Sequence, residues 1–178
     1  ISEPIASICD VESSLIVNNN AAAVLLTINS LADSSEVVCS RGQIVEIGGS
    51  FRISEIINKS GAFLKEVGAT NRTHIADYEK AISKKTKLLL WVHTSNYVVK
   101  GYTKEVPLED IVTLGKKYNI PLIMDNTAAP VICKPIEHGA AVVIHSLTKY
   151  IGGHGTVVAG SIVDSGNFDW TADPKRQP

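Results

Sequence analysis

The sequence is poor in the features that mark several protein classes. It has only three cysteines, Cys9, Cys39 and Cys133, an odd number at wide spacing without a C-x-x-C pair. This pattern supports neither a disulfide framework nor a zinc site, and the histidines show no tight metal-ligand spacing. No apolar run approaches the ~18 residues that span a bilayer. We therefore expect no metal and no membrane partner, and a reducing cytoplasmic location.

An excess of charge of either sign is also missing. Lys and Arg number 17 against 18 Asp and Glu, for a formal charge of −1, which gives no basic footprint for a nucleic acid or an anionic membrane. The chain is 44% hydrophobic and 20% charged, values that are ordinary for a globular protein. Its 178 residues are suited to one domain with a normal core.

Short apolar, β-branched runs alternate with stretches of helical period. This alternation predicts an α/β fold with a mainly parallel sheet sandwiched by helices. The predicted strands are 36–40, 63–67, 87–93, 121–125, 141–145 and 157–163, and the predicted helices are 21–31, 53–59, 75–83 and 108–118. The continuous hydrophobicity of the strands indicates that both faces of the sheet are covered. Residues 171–178 are polar with two prolines and are predicted to form a tail.

A lysine directly follows one of the predicted strands, in the sequence AVVIHSLTKYIGGHG. This places Lys149 at the carboxyl end of a strand, where open α/β sheets bind their ligands. Ser146 and Thr148 bring two hydroxyls beside the amine, and the glycines that follow permit close approach of a ligand to the backbone. A desolvated lysine can form a Schiff base with an aldehyde. A solvated lysine at a loop edge is the alternative.

An aspartate reaches the same end of the sheet in the sequence PLIMD. Asp125 is either a helix cap or a functional charge. It lies about one α/β unit before Lys149, so both side chains can face one crevice. Such a pair is what pyridoxal phosphate requires, because the lysine holds the cofactor and the acid keeps the ring nitrogen protonated.

Asparagines follow two further apolar runs. In LIVNNNAAAVLL they stand at the start of an Ala-rich helix, whose free N–H groups can bind a phosphate, although a plain helix cap is the alternative. In WVHTSNY, Asn96 can donate a hydrogen bond to a cofactor's ring oxygen or satisfy a turn.

Two long sets of motifs resemble known families of pyridoxal-phosphate enzymes. Residues 120–170 contain IPLIMDNT, KPIEHGA, VVIHSLTKYIGGHGT and IVDSGNFDW, and resemble the Cys/Met metabolism group of cystathionine synthases and lyases and O-acetylhomoserine sulfhydrylases. Residues 13–106 contain VNNNAAAVLLTINSLA, SRGQIVEIGGSFRI, VGATNRTHIADYEKAI, VHTSNY and GYTKEV, and resemble selenocysteine synthase, the L-seryl-tRNA(Sec) selenium transferase family. Both families share the large domain of fold type I, which is aspartate aminotransferase-like.

The resemblance implies a role for each matched position. Lys149 matches the Schiff-base lysine, and Asp125 the acid beneath the pyridine nitrogen. The remaining cofactor contacts implied are Ser146 and Thr148 for the phosphate, Asn19, Asn20 and Ala21 for a backbone phosphate cradle, Asn96 for the ring oxygen and Thr127 beside Asp125. One position departs from the Cys/Met pattern: Ile47 precedes Gly48-Gly49-Ser50 where that group has a tyrosine, so its ring-stacking tyrosine is missing.

The same resemblance implies an activity and partners. Residues 1–170 are predicted to be a pyridoxal-phosphate-binding large-domain core, without the families' N-terminal extension or C-terminal small domain. The implied reaction is elimination or replacement at the β or γ carbon of a small amino acid with sulfur or selenium chemistry, in a homo-oligomer. Transfer RNA is not an expected partner without the absent regions. The alternative is a fragment that binds the cofactor but is catalytically impaired, or a regulatory or structural module.

Overall fold

The structure is a computed structural model that describes residues 2–47, 51–174 and 176–177. Its helices are α1 (Ser2–Cys9), α2 (Asn20–Ala32), α3 (Ile53–Lys59), α4 (Ile75–Ala81) and α5 (Leu108–Tyr118). Its strands are β1 (Ser13–Val17), β2 (Glu36–Ser40), β3 (Glu46–Ile47), β4 (Phe51–Arg52), β5 (Phe63–Val67), β6 (Thr86–Val92), β7 (Leu122–Asp125), β8 (Val142–Ser146) and β9 (Gly160–Asp164). Among these residues, we find no helix with the length and apolar character needed to cross a bilayer.

Seven strands form one sheet in the order β1-β9-β8-β7-β6-β2-β5. Within the run β8-β7-β6-β2-β5, adjacent strands are parallel. Strand β9 is antiparallel to both β8 and β1, so β1 runs in the same direction as the parallel strands. The predicted α/β class with a mainly parallel sheet is therefore confirmed. A separate pair, β3 and β4, forms a short antiparallel ribbon.

Helices cover both faces of the sheet, and alternate residues of each strand face opposite sides. In β6, Leu88 and Leu90 belong to the core that α2 and α3 build, whereas Leu89 belongs to the core around α4 and α5. Every residue of β7 and β8 is buried. This two-sided burial explains why the central strands are continuously apolar in sequence.

Most predicted elements lie where the sequence places them, and the differences have local causes. Strands β2 and β5 and helices α3 and α5 have the predicted bounds. Strand β9 begins at Gly160 instead of residue 157, since Val157 and Val158 are exposed. Helix α1 and strand β1 were not predicted. Helix α1 buries only Ile5 and Ala6, and β1 is an edge strand with exposed positions, so neither has a strong apolar pattern.

The last described residues are irregular, but they pack against the amino edge of the sheet. The Arg176 guanidinium donates to the carbonyls of Ser83 and Thr86, next to the start of β6. The Gln177 amide donates to the Asn119 carbonyl at 3.3 Å and is buried. The polar end of the chain thus contacts the edge opposite to the predicted site.

Candidate active site

Three parallel strands, β6, β7 and β8, end side by side at one edge of the sheet and open onto a cleft of about 230 Å3. The residues lining this cleft are Asn20, Ile47, Phe51, Val92, His93, Ser95, Asp125, Thr127, Ala128, Ser146, Lys149 and Tyr150. The predicted residues Lys149, Asp125, Asn20, Thr127 and Ser146 are thus brought together. They lie at the carboxyl edge, where ligands of open α/β sheets bind.

The carboxylate of Asp125 is the most tightly held group in the cleft. It is only 6% exposed. Its Oδ2 accepts a hydrogen bond from Asn20 Nδ2 at 2.9 Å, and its Oδ1 accepts from the backbone N and the hydroxyl of Thr127 at 3.0 and 2.6 Å. The Thr127 hydroxyl in turn accepts from the Ser146 backbone N at 2.9 Å. These bonds fix the carboxylate between α2 and the ends of β7 and β8.

Asp125 has no cationic partner among the ion pairs of the described residues. Its neighbour His145 does not supply one, because burial lowers the pKa of that imidazole, an effect that the Asp125 charge opposes. A buried carboxylate is costly unless it is hydrogen-bonded and paired. The cleft therefore offers a position suited to a cationic group of a ligand.

The amino end of α2 forms one wall of the site. Asn19 caps the helix, since its side-chain oxygen accepts from the Ala22 N at 2.8 Å, while Asn20 points to Asp125. The first backbone N–H groups of a helix have no acceptor within it, which leaves the amides of Asn20 and Ala21 suited to an anion. Strand β9 supports this end closely, as a Cβ atom on Gly160 would lie 2.5 Å from the Asn19 carbonyl oxygen.

Lys149 lies in a single wide helical turn, Leu147–Ile151, directly after β8. The turn departs from helical geometry at the lysine, with φ −92° and ψ −119°, and Lys149 is exposed. Thr148 attaches the turn to the segment before β9: its hydroxyl donates to the Ala159 carbonyl at 3.3 Å and accepts from the Ala159 N at 3.1 Å. Thr148 therefore fixes the turn and does not line the cleft.

Asn96 also lies outside the cleft lining, as do the predicted residues Asn19 and Ala21 at the start of α2. The Asn96 amide donates to the Glu46 carbonyl at 2.7 Å and is exposed to solvent, whereas its neighbour Ser95 lines the cleft. A contact between Asn96 and a cofactor ring requires that this hydrogen bond breaks.

Sequence reasoning did not assign His93 to the cleft. His93 follows β6 directly, much as Thr127 and Lys149 follow β7 and β8 after one or two more residues, so the rule of carboxyl strand ends was a signal for it. Ile47, the position that departs from the Cys/Met pattern, lines the cleft, and residues 48–50, which follow it, lie outside the described residues. Within the described ranges, no group of three or more His, Cys, Asp or Glu can hold a metal ion.

Solved structures with the same fold define the class. A chain described as an O-acetylhomoserine (thiol)-lyase from Campylobacter jejuni, whose structure contains a pyridoxyl-lysine, superposes with a TM-score of 0.79 at 24% identity over 98% of this chain and 42% of its own. D-Glucosaminate-6-phosphate ammonia-lyase gives a TM-score of 0.79 at 25% identity, over 92% of this chain and 46% of its own. The fold is thus that of the fold-type-I pyridoxal-phosphate enzymes.

Within that class, the sequence model of the family SelA, L-seryl-tRNA selenium transferase, matches residues 1–169. The chain belongs to this family. It is 48% identical over 180 aligned residues to the L-seryl-tRNA(Sec) selenium transferase of Nitratidesulfovibrio vulgaris, covering 94% of this chain and 37% of that relative's length. Because the match continues through residue 169, it includes the half that resembles the Cys/Met group, and both halves are of one family and one fold.

Proposed function

We propose that this chain is the pyridoxal-phosphate-binding core of a transferase that replaces the β-hydroxyl of a seryl group with selenium. The observation that carries the proposal is the buried Asp125 carboxylate, which faces the same cleft as Lys149 and has no cationic partner among the described ion pairs. The seryl group and the selenium come from the names of the relatives. The chain spans 37% of the length of one such relative, so the activity of the whole enzyme is part of the proposal.

The residues in the cleft fit the cofactor group by group. Asp125 suits a protonated ring nitrogen, and the Lys149 amine suits the aldehyde. The amides at the start of α2, with Ser146, suit the phosphate. Ile47, Phe51 and Val92 supply apolar walls for the ring. When bound, pyridoxal phosphate supplies an electron sink that facilitates loss of the α-proton of an attached amino acid.

The side chains then have separate tasks. Asp125 holds a proton on the ring nitrogen, and Asn20 and Thr127 hold the carboxylate in place for this. Lys149 Nζ takes the proton from the α-carbon of the seryl group, and the bond between the β-carbon and its oxygen breaks, so that the hydroxyl leaves with the electron pair as hydroxide. The selenium nucleophile then forms a bond to the β-carbon, and Lys149 returns the proton to the α-carbon.

The proposal includes self-association and a small amino-acid-like substrate group. Large apolar side chains are exposed near the cleft: Ile132 at 91%, Tyr150 at 71% and Val158 at 68%. Exposed apolar surface of this kind favours a second copy as the covering partner. With a net charge of −1, we expect no stable complex of this chain alone with transfer RNA.

Cofactor binding tests the proposal directly. We expect pyridoxal phosphate to give a visible absorption band with the wild-type chain, and borohydride reduction followed by peptide mapping to place the label on Lys149. The variant Lys149→Ala should lose both signals, while Lys100→Ala, which removes an exposed lysine outside the cleft, should keep them. Label on other lysines in equal amount in both variants would overturn the assignment.

A further inference from the structure

Another cavity, of about 90 Å3, lies over the carboxyl ends of β2 and β5, next to β6 on the side away from the cleft. It shares no lining residue with the cleft. Its walls come from the end of β2, the loop after β5 and the segment before α5, and its polar lining includes Ser40, Arg72, Thr73, Tyr78 and Lys104. The volume suits a group of a few heavy atoms.

The cavity carries more positive than negative charge. Arg72 and Lys104 line it, and their backbones pair as a short parallel bridge. The Arg72 guanidinium lies 3.8 Å from the ring centroid of Tyr102, and neither cation takes part in an ion pair among the described residues. Glu105 is the acidic residue in the lining. Two cations and one carboxylate therefore leave one positive charge without a counterion in the protein.

A buried hydroxyl without a partner lies in the same lining. Tyr78 is completely buried in α4, and its hydroxyl completes no hydrogen bond with the described residues. Burial raises the pKa of the Tyr78 phenol, so the hydroxyl stays protonated. The nearby Ser40 backbone N–H opposes this rise in pKa, although it does not reach hydrogen-bond geometry with the hydroxyl. A buried unsatisfied hydroxyl is costly and rare in proteins. It becomes satisfied if a ligand in the cavity accepts its proton.

Two more hydroxyls and the backbone make the cavity a formed site. Ser40 Oγ and Thr73 Oγ1 lie 2.7 Å apart and are both buried. Only one of their two protons is used in that bond, so the other can be donated to a ligand. The loop is held by the bond from Thr73 N to the Lys104 carbonyl at 2.9 Å. Gly68, at φ +70°, permits this packing, because a Cβ atom there would lie 2.3 Å from Thr73 Oγ1.

The geometry points to this cavity as a binding site for a tetrahedral oxyanion, either free or as the terminal group of a phosphate monoester. Arg72 and Lys104 supply the positive charge, and Tyr78 and the Ser40–Thr73 pair donate hydrogen bonds. A neutral ligand leaves the excess charge without a partner. The site goes beyond the proposed function and does not depend on it.

Titration calorimetry of the full chain with inorganic phosphate, and separately with methyl phosphate, tests the site. We expect Arg72→Gln to weaken phosphate binding by about tenfold or more, the usual consequence of losing a charge-assisted hydrogen bond. Arg41→Gln is the matched control, because Arg41 follows β2 at the same edge of the sheet but pairs with Glu66 outside the cavity, and this variant should bind phosphate as the wild type does. Glu105→Gln should bind phosphate more tightly than the wild type does.

The second ligand distinguishes the two forms of the anion. If methyl phosphate binds in the same Arg72-dependent way, the ligand is the terminal group of a phosphate monoester. If only inorganic phosphate binds, the ligand is a free anion.

The variant Tyr78→Phe keeps the test decisive if an arginine variant does not fold. Because its hydroxyl has no partner, its removal should leave thermal stability without phosphate unchanged or higher, and should reduce the stabilisation that phosphate gives. Equal phosphate affinity in the wild type and in the folded variants Arg72→Gln and Tyr78→Phe would overturn the proposal. So would phosphate binding that is lost in Ser146→Ala and kept in Arg72→Gln, since that result places the anion in the cleft.

Discussion

The two sides of the cleft are built differently. On one side, Asp125 ends a buried strand and accepts three hydrogen bonds, one from Asn20 of α2 and two from Thr127, which follows β7. On the other, Lys149 is exposed in a turn that departs from helical geometry at that residue. The fold therefore sets the position of the acid before a ligand arrives, whereas the amine depends on its turn and on the ligand. Variants on each side separate these contributions.

The largest expected effect comes from the ordered side. We expect Asp125→Asn to bind pyridoxal phosphate in part but to slow exchange of the α-proton of an added amino acid by at least about a hundredfold, because an amide cannot hold the ring proton. The measurement is deuterium exchange at the α-carbon, followed by NMR in the presence of cofactor. The exposed control Asp110→Asn should exchange at the wild-type rate. Equal exchange in the two variants would show that Asp125 has no such role.

A smaller effect, on the free energy of unfolding, is expected where α2 meets β9. Gly160→Ala places a Cβ atom within 2.5–2.9 Å of the backbone of Asn19 and Asn20, which displaces the helix end that holds Asp125. We expect it to lower the free energy of unfolding by about 3 kcal/mol, as overpacking of a rigid contact does. Ser161→Ala, next to it in β9, removes a buried hydroxyl without a described partner and should have little effect. Urea denaturation compares the two, and similar stabilities would contradict the close contact.

Two threonines compare the sides directly. Thr127→Val removes a hydroxyl that donates to Asp125 and accepts from the Ser146 N, so both partners become unsatisfied, and we expect a loss of about 2 kcal/mol. Thr148→Val removes the longer bonds to Ala159 on the lysine side, and we expect about 1 kcal/mol. Chemical denaturation measures both. A larger loss for Thr148→Val would reverse the comparison.

The smallest effect concerns pH and the buried His145 behind Asp125. Burial lowers the pKa of His145 below its ordinary value of 6.5, so the unfolded chain takes up a proton before the folded chain does. The stability due to the neutral imidazole is complete above pH 6.5 and is lost as the pH falls toward the folded pKa. Between neutral and mildly acidic pH, we expect the wild type to lose more stability than His145→Asn does. If the stability of the wild type and that of His145→Asn change with pH in the same way, the neutral imidazole makes no such contribution.

The parts of the fold that the sequence could predict are those with a strong local pattern. The buried strands and α5 have continuous or helical apolar periodicity, so their bounds follow from the sequence to within one residue. The end of β9 was predicted to within one residue, but its start was not, because Val157 and Val158 are apolar and nevertheless exposed. Their exposure depends on tertiary position, which a local pattern does not contain. Helix α1 could not be predicted for a similar reason, because it buries few apolar side chains and so has no strong local pattern.

The candidate site shows the same limit. Asp125 and Lys149 could be placed at one edge because the carboxyl ends of parallel strands share it. The Asn20–Asp125 bond could not, since it joins residues far apart in sequence whose distance depends on how α2 packs on β9. For the same reason, sequence could not show that Asn96 contacts Glu46 or that Thr148 contacts Ala159.

The reversed strand β9 has a consequence for the order in which the molecule forms. Among the described strands, β1, near the start of the chain, pairs only with β9, near its end, and the amino end of α2 packs on Gly160 of the same strand. During synthesis from the N-terminus, β1 and the start of α2 must therefore wait until residues 160–164 have emerged. Contacts of such high sequence separation slow folding. The wall of the cleft that the amino end of α2 forms is then among the last parts of this domain to form on the ribosome.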